Sequence, residues 1–316
     1  MEALEFTASD GGTLRLYRSL PERAPRAAIL IAHGMGEHAG RYTPVAEQLN
    51  AAGYAVYAND HRGHGHSADR ESLGNMGADG WNRVIQDTAE ITAHIASEHP
   101  GRPRVLLGHS MGSMLAQQFA YRFGREIDAL ILSGSPGIGG AFSGWLSHTI
   151  ARFERWRLGH DAESALMQQL VFGSSNKNWD GPDATGFEWL SRDAGQVQAY
   201  VDDPLCGFVL RAGSLCDLFA GAREARRKSS IAGIPTELPV YVFSGSADPV
   251  HAEGANLERL LKRYRRQLRR TDYRLYPEGR HEMFNETNRQ EVIDDLLAWL
   301  EDALPRDEQT ADGTPA

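Results

Sequence analysis

Ser110 lies at the centre of Gly108-His109-Ser110-Met111-Gly112, the single G-x-S-x-G match in the chain. Arg104 to Gly108 before it reads as a strand, and Ser110 to Phe123 follows a helical pattern. Such a strand-to-helix turn holds a serine in a strained conformation with its hydroxyl exposed, and the flanking glycines remove side chains that would collide with the neighbouring strand and helix. The helix N-terminus then offers unpaired N–H groups to negative charge developing beside the serine. A serine hydroxyl is a poor nucleophile until a base takes its proton, so a histidine held by a carboxylate is required. Two later loops supply candidates in the order serine, acid, histidine. Asp248 follows the apolar run Val240 to Ser244, and His281 follows Tyr273 to Tyr276. His251 suits a capping or surface role better, Glu253 lies inside a helical pattern, and Glu282 stands beside the base.

Acyl transfer also needs two donors for the tetrahedral oxyanion. One is the N–H of the residue after the nucleophile, Met111. The other is expected from the loop after the early buried strand, His33-Gly34-Met35-Gly36-Glu37, with the N–H of Met35 as the natural choice. His33 is read as a brace for that loop. Two other patterns are set aside. Gly34 to Ala39 fits G-x-G-x-x-A, with Asp60 about 20 residues on, but helix signals begin only at Thr43-Pro44, too late to hold a pyrophosphate. His61-Arg62-Gly63-His64-Gly65-His66 is dense in metal-type donors but has no companion carboxylate or cysteine cluster. No metal and no cofactor are expected.

The elements that must position these residues alternate. A hairpin over Leu4–Thr7 and Thr13–Arg18 opens the chain, turning at Asp10-Gly11-Gly12. The uninterrupted apolar run Ala27 to Ala32 suits a strand buried on both faces. A helix from Thr43-Pro44 is expected, with the threonine as N-cap and proline in the first position. Strand and helix then alternate to Leu132, which implies a mostly parallel sheet covered on both faces. From about Pro136 to Pro235 there are helical segments (Trp145 to Trp156, Ala162 to Phe172, Cys206 to Ala225) and no clear buried strand. Alternation resumes at Val240 and ends in a helix carrying Val292, Ile293, Leu296, Leu297 and Leu300. The expected organisation is an α/β core over 1–135 and 236–304, a helical cap inserted at 136–235, and a disordered tail at 305–316.

The 316 residues suggest two domains, or one with an insertion. The formal charge of −9 argues against a nucleic-acid partner. Two cysteines, Cys206 and Cys216, give neither a disulfide framework nor a thiolate zinc site. The chain starts without a basic and apolar leader, and no run of 18 apolar residues occurs, so a cytoplasmic protein, at most peripheral to a membrane, is expected.

Taken together, these motifs resemble the monoacylglycerol lipase and lysophospholipase branch of the α/β-hydrolase superfamily. The segments that carry the resemblance are His33 to His38 with Arg41-Tyr42, Asp60 to Gly65 with Ser67, Gly108 to Gly112, Ser246 to Val250 and Gly279 to Asn285. In the cap, Trp189 to Asp193 and Asp203 to Phe208 are similar to bacterial lysophospholipase-like members. The resemblance implies Ser110, Asp248 and His281 as triad and Met35 and Met111 as oxyanion donors, matching the reading of the residues themselves. Ser113 stands where many relatives have glycine. The expected activity is hydrolysis of monoacyl lipid esters, monoacylglycerol or lysophospholipid, through an acyl-enzyme.

The alternatives are a short-chain carboxylesterase, a thioesterase or peptidase with the same triad, and a non-catalytic binder of the same fold. Trp145, Phe208 and Phe219, within apolar groups of the cap, are candidates for the acyl-chain site or for contact with lipid aggregates. Glu37 is a candidate either for binding a substrate amine or for bracing its loop. The basic run Lys262 to Arg270 reads as a solvated helix face, with an anionic membrane surface as the other reading.

Overall fold

A computed structural model of the chain describes residues 1–173, 175–225 and 227–305, apart from the side chains of 141–143. Gly11, at φ +86°, turns the chain between β1 (Glu2–Thr7) and β2 (Thr13–Ser19), which pair antiparallel from Glu2↔Arg18 to Thr7↔Thr13. In β3 (Ala28–Ala32), Ala28, Leu30 and Ala32 face one core layer while Ile29 and Ile31 face the other. Side chains alternate across a strand, so an unbroken apolar run marks a strand covered on both sides.

A 3-10 turn over Ala39–Tyr42 leads straight into α1 (Thr43–Ala51). The expected Thr43 cap therefore shifts by one residue. Tyr42 takes the cap position, and the Thr43 hydroxyl donates back to the Gly40 carbonyl at 2.9 Å. The core continues with β4 (Ala55–Asn59), α2 (Gly80–Glu98), β5 (Arg104–His109), α3 (Met111–Phe123) and β6 (Ala129–Ser133). Between β6 and the next strand run α4 (Ala141–Leu158), α5 (Ala165–Val171), α6 (Ala194–Asp202), α7 (Ala212–Ala225) and α8 (Lys228–Ala232), with no strand among the described residues. Then follow β7 (Val240–Gly245), α9 (Ala255–Gln267), β8 (Thr271–Tyr276) and α10 (Arg289–Ala303). The tail expected to lack order lies, beyond Pro305, outside the described residues.

The sheet order is β1-β2-β4-β3-β5-β6-β7-β8, parallel from β4 onward, with β2 antiparallel to β4. One layer packs Ile91, Ile95, Phe119, Leu257, Leu260 and Tyr264 of α2, α3 and α9 on the sheet. The other packs Val45, Leu49, Val292, Leu296 and Leu300 of α1 and α10. A third cluster joins Met76, Trp81, Met111 and Leu115 to Ala151, Met167, Leu215 and Leu218, which seats the helical excursion on the core. No described helix is long and apolar enough to cross a membrane.

Candidate active site

Ser110 follows β5 and caps α3 at φ +51° and ψ −113°, a region side chains rarely occupy, and its N–H donates to the Ser133 carbonyl at 2.9 Å. The close packing explains the flanking glycines. A Cβ on Gly108 would press into the Gly112 carbonyl, and one on Gly112 would meet the carbonyls of Ala32 and His33. Ser113, the departure from many relatives, is fully buried and donates its hydroxyl to the Ser110 carbonyl at 2.6 Å.

Asp248 and His281 come from the loops after β7 and β8 and meet with Nδ1 of His281 2.9 Å from Oδ2 of Asp248. Asp248 Oδ2 also accepts from the Ser244 hydroxyl at 2.8 Å, and Oδ1 from the Val250 N–H at 2.9 Å. Burial opposes ionisation of Asp248, but the adjacent imidazole and these donors hold its carboxyl below the usual range. Burial likewise opposes charge on His281, yet the Asp248 carboxylate lifts its pKa above that of a free imidazole. The His281 ring packs against those of His109 and Trp189, with centroids at 4.8 and 4.9 Å. Its loop is strapped to the helical excursion. The N–H groups of His281 and Glu282 donate to the Trp189 and Leu190 carbonyls at 3.3 and 2.8 Å. Arg280 Nη1 donates to the carbonyls of Glu188 and Ser191 at 2.6 and 2.9 Å.

His33 braces its loop as expected from sequence. Its Nδ1 lies 2.7 Å from the Gly34 carbonyl, and its Nε2 accepts from the His61 N–H at 3.0 Å. Asp60 serves the same region, accepting the N–H groups of Ala39 and His66 at 2.8 and 2.7 Å, rather than facing a ribose. The dense histidines divide: His61 and His64 are buried beside His33, whereas His66 is exposed. His251, placed by sequence in a capping or surface role, is instead fully buried. It bridges the Gly245 carbonyl at 2.9 Å and the Gly254 N–H at 2.8 Å. Among the described residues, His38, Asp203 and Cys206 bring metal-type donor atoms within 4.8 Å of one another. His38 Nδ1 accepts from the Gly40 N–H, which leaves the proton on Nε2 to bond Asp203 at 2.8 Å, so that ring offers no free lone pair to a metal.

Two cavities meet at Ser110. The larger, about 300 Å³, is lined by Met35, Met111, Met167, Leu218, Phe219 and Val250 among others, with no Asp or Glu among the described residues of its wall. The smaller, about 30 Å³, is bounded by His281, Glu37, Glu282, Tyr200 and Trp189. Met35 and Trp189 border both. Of the residues expected on the substrate side, the structure brings Phe219 to the large cavity but neither Trp145 nor Phe208. Trp145 is half-exposed on α4, and Phe208 packs on His64 with centroids 5.1 Å apart. Gly207, at φ +79°, and its N–H bond to the Gly36 carbonyl hold that segment outside the expected helix.

Glu37 is a brace. Its Oε1 accepts from the Gly34 N–H and the Tyr42 hydroxyl at 2.6 and 2.9 Å, and its Oε2 pairs with Arg41 at 2.6 Å. With both oxygens engaged, it has little left for a substrate amine. Sequence reasoning missed Trp189 and Tyr200. Trp189 carries a buried indole N–H with no partner among the described residues. The aromatics of 187–200 were visible in the sequence, but their distance along the chain from residues 36 and 281 hid the contacts.

The model of one family, described as serine aminopeptidase S33, matches residues 23–288. The chain belongs to this family. A similar protein is a monoacylglycerol lipase of Mycolicibacterium smegmatis, 30% identical over 89% of this chain and 90% of that protein. The human monoglyceride lipase is 36% identical over a 108-residue stretch, 34% of each chain. A lipase solved in an open form superposes with a TM-score of 0.87 at 28% identity, covering 96% of this chain and 99% of that one. A thermostable carboxyl esterase of Bacillus coagulans, at 24% identity and a TM-score of 0.87, shares the fold. The architecture is the α/β-hydrolase fold, and this S33 member is a serine hydrolase of carboxylic esters.

Proposed function

We propose that the protein hydrolyses neutral monoacylglycerols, with Ser110 as nucleophile, His281 as general base and acid, and Asp248 as the group that fixes the imidazole tautomer. Ser110 attacks the ester carbonyl while His281 takes its proton, and the N–H groups of Met35 and Met111 receive the oxyanion. His281 then protonates the departing alcohol and afterwards activates a water that releases the fatty acid.

The observation that carries the reading is the inequality of the two cavities. The leaving alcohol must depart on the side of the histidine that protonates it, and His281 lines only the small chamber of the two. That chamber suits a compact alcohol, and Trp189, whose indole N–H has no partner among the described residues, is part of its wall. Its wall includes two carboxylates, Glu37 and Glu282, against one guanidinium, Arg41. An anionic phosphate there would meet net negative charge among buried side chains. The acyl half is left with the apolar chamber. An aminopeptidase would need its substrate amine in that acyl half, where no carboxylate stands among the described residues.

We further propose that residues 136–235 act as a cap that rests on lipid aggregates. Trp145, Leu146, Phe153, Trp156 and Leu158 of α4 and Leu166 and Leu170 of α5 are exposed, and Leu170 also lines the large chamber. Single exposed apolar residues are ordinary, but a group of this kind beside a cavity mouth is suited to an interface.

Two experiments test the assignment. Labelling by a fluorophosphonate probe should be lost in Ser110→Ala with an unchanged circular dichroism spectrum, and equal labelling of both proteins would refute the nucleophile. With one acyl chain held constant, kcat/KM should favour the glyceryl ester over the lysophosphatidate by about 100-fold, equivalent to about 3 kcal/mol. Equal rates would remove the head-group argument, and faster cleavage of aminoacyl amides would favour the peptidase reading.

A further inference from the structure

Met35 can serve as an oxyanion donor only if its peptide is held still relative to Ser110, and the structure shows how both ends of that peptide are anchored. On one side, the Gly34 N–H donates to Glu37 Oε1 at 2.6 Å. On the other, the Gly36 carbonyl accepts from the Tyr200 hydroxyl at 2.8 Å and from the Gly207 N–H at 2.9 Å. Glu37 does not act alone. Arg41 Nη1 donates to Glu37 Oε2 at 2.6 Å and also to Glu282 Oε1 at 2.7 Å, while Nη2 donates to Glu282 Oε2 at 2.6 Å. Glu282 is the residue after His281. The guanidinium lies over the Tyr200 ring, 4.8 Å from its centroid, with its side chain only 11% exposed.

We infer that Arg41 is a positioning residue that locks the oxyanion loop (residues 33–38) and the base loop (279–286) in one register. The inference rests on the hydrolase reading given above. A buried ion triad is a weak source of stability, because desolvating three charges offsets most of their attraction and apolar replacements are often neutral. What the triad supplies is geometry. The planar fork of an arginine fixes a carboxylate in both distance and orientation, which a lysine cannot do. Here one edge of the fork, Nη1 with Nη2, grips the base loop, and Nη1 also grips the Glu37 brace of the oxyanion loop, so neither can drift without the other. Misplacement of a reacting group by about 1 Å can cost about 100-fold in rate, so the lock bears on turnover although Arg41 touches no reacting atom.

The test compares wild type with Arg41→Met, Arg41→Lys and Glu282→Gln. The readouts are kcat and KM on a soluble short-chain aryl ester, the second-order rate of fluorophosphonate attachment to Ser110, and Tm. Arg41→Met should lower kcat by about 10- to 100-fold with KM within about twofold, and should slow phosphonylation by a similar factor. Arg41→Lys, which restores the charge without the fork, should recover part of both rates. Glu282→Gln should also lower kcat, and its effect should be less than additive with Arg41→Lys, as expected of groups in one network. Should Arg41→Met fail to fold, the lysine and glutamine variants carry the same comparison. Rates at wild-type level with only Tm lowered, or a loss confined to KM, overturn the inference. Absence of labelling in wild type would instead sink the hydrolase reading, a different result from equal labelling of wild type and variant.

Discussion

Side chains that the reaction does not use also constrain this protein. His61 and His64 are buried beside His33, their centroids 4.1 and 5.1 Å from its ring, and each has an Nε2 without a partner among the described residues. Burial drives the pKa of His61 to about 3 and that of His64 to about 4, and it lowers His33 as well. Because the folded values lie below the unfolded one, the unfolded chain binds more protons, and stability present above about pH 6.5 is lost as pH falls. From pH 7.5 to 5 the cost is about 2 kcal/mol for each of His61 and His64. His281, whose pKa is raised, contributes in the opposite sense, because its stabilisation fades as pH rises. Urea titrations at both pH values should therefore show a marked acid loss that shrinks by about 2 kcal/mol in His64→Gln, and an unchanged loss would contradict this account. Sequence spacing could not show that His33 packs on these histidines, because the ring contacts and the His61 N–H bond to His33 Nε2 join residues remote in sequence.

Helix α4 shows what pattern can and cannot reveal about an element. The structure divides its apolar positions between the core and the surface. Ala151 is buried, and Ile150 is partly buried against the core, while Phe153 is 52% and Trp156 79% exposed. If that outer face docks on lipid, Phe153→Glu with Trp156→Glu should slow hydrolysis of monoacylglycerol in micelles or vesicles by on the order of tenfold, since one lost aromatic contact is worth a few kcal/mol at most. Rates on a soluble short-chain ester should stay at the wild-type level, and an equal loss on both substrates would remove the docking proposal. The buried strands β3, β5, β6 and β7 were legible because residues covered on both faces must be apolar throughout. Helix α6 was not, because its neighbours lie far along the chain: Tyr200 bonds a carbonyl 164 residues away. The same reason displaced Phe208, since a turn at Gly207, set by a bond to Gly36, replaced the helix that local pattern suggested. The basic run near the end of α9 shows Lys262, Arg265 and Arg266 exposed, with Arg269 paired to Glu237 at 2.8 Å.

For the molecule as a whole, the proposed order of serine, acid and base could be put forward from sequence because parallel strands deliver their following loops to one edge of the sheet. Ser110, Asp248 and His281 follow β5, β7 and β8, and the loop bearing Met35 follows β3. Hidden from the sequence was the dependence of those loops on the helical excursion. The segment 188–191 holds the base loop, while Tyr200 and Gly207 hold the oxyanion loop. The excursion is thus two parts with different obligations. Residues 187–208 are shared framework, whereas α4, α5 and α7 contribute lining of the large chamber. An engineer seeking a new chain-length preference can therefore redraw the α4–α5 stretch by grafting or shuffling, whereas a transplant that crosses residue 187 would exchange part of the scaffold on which turnover depends.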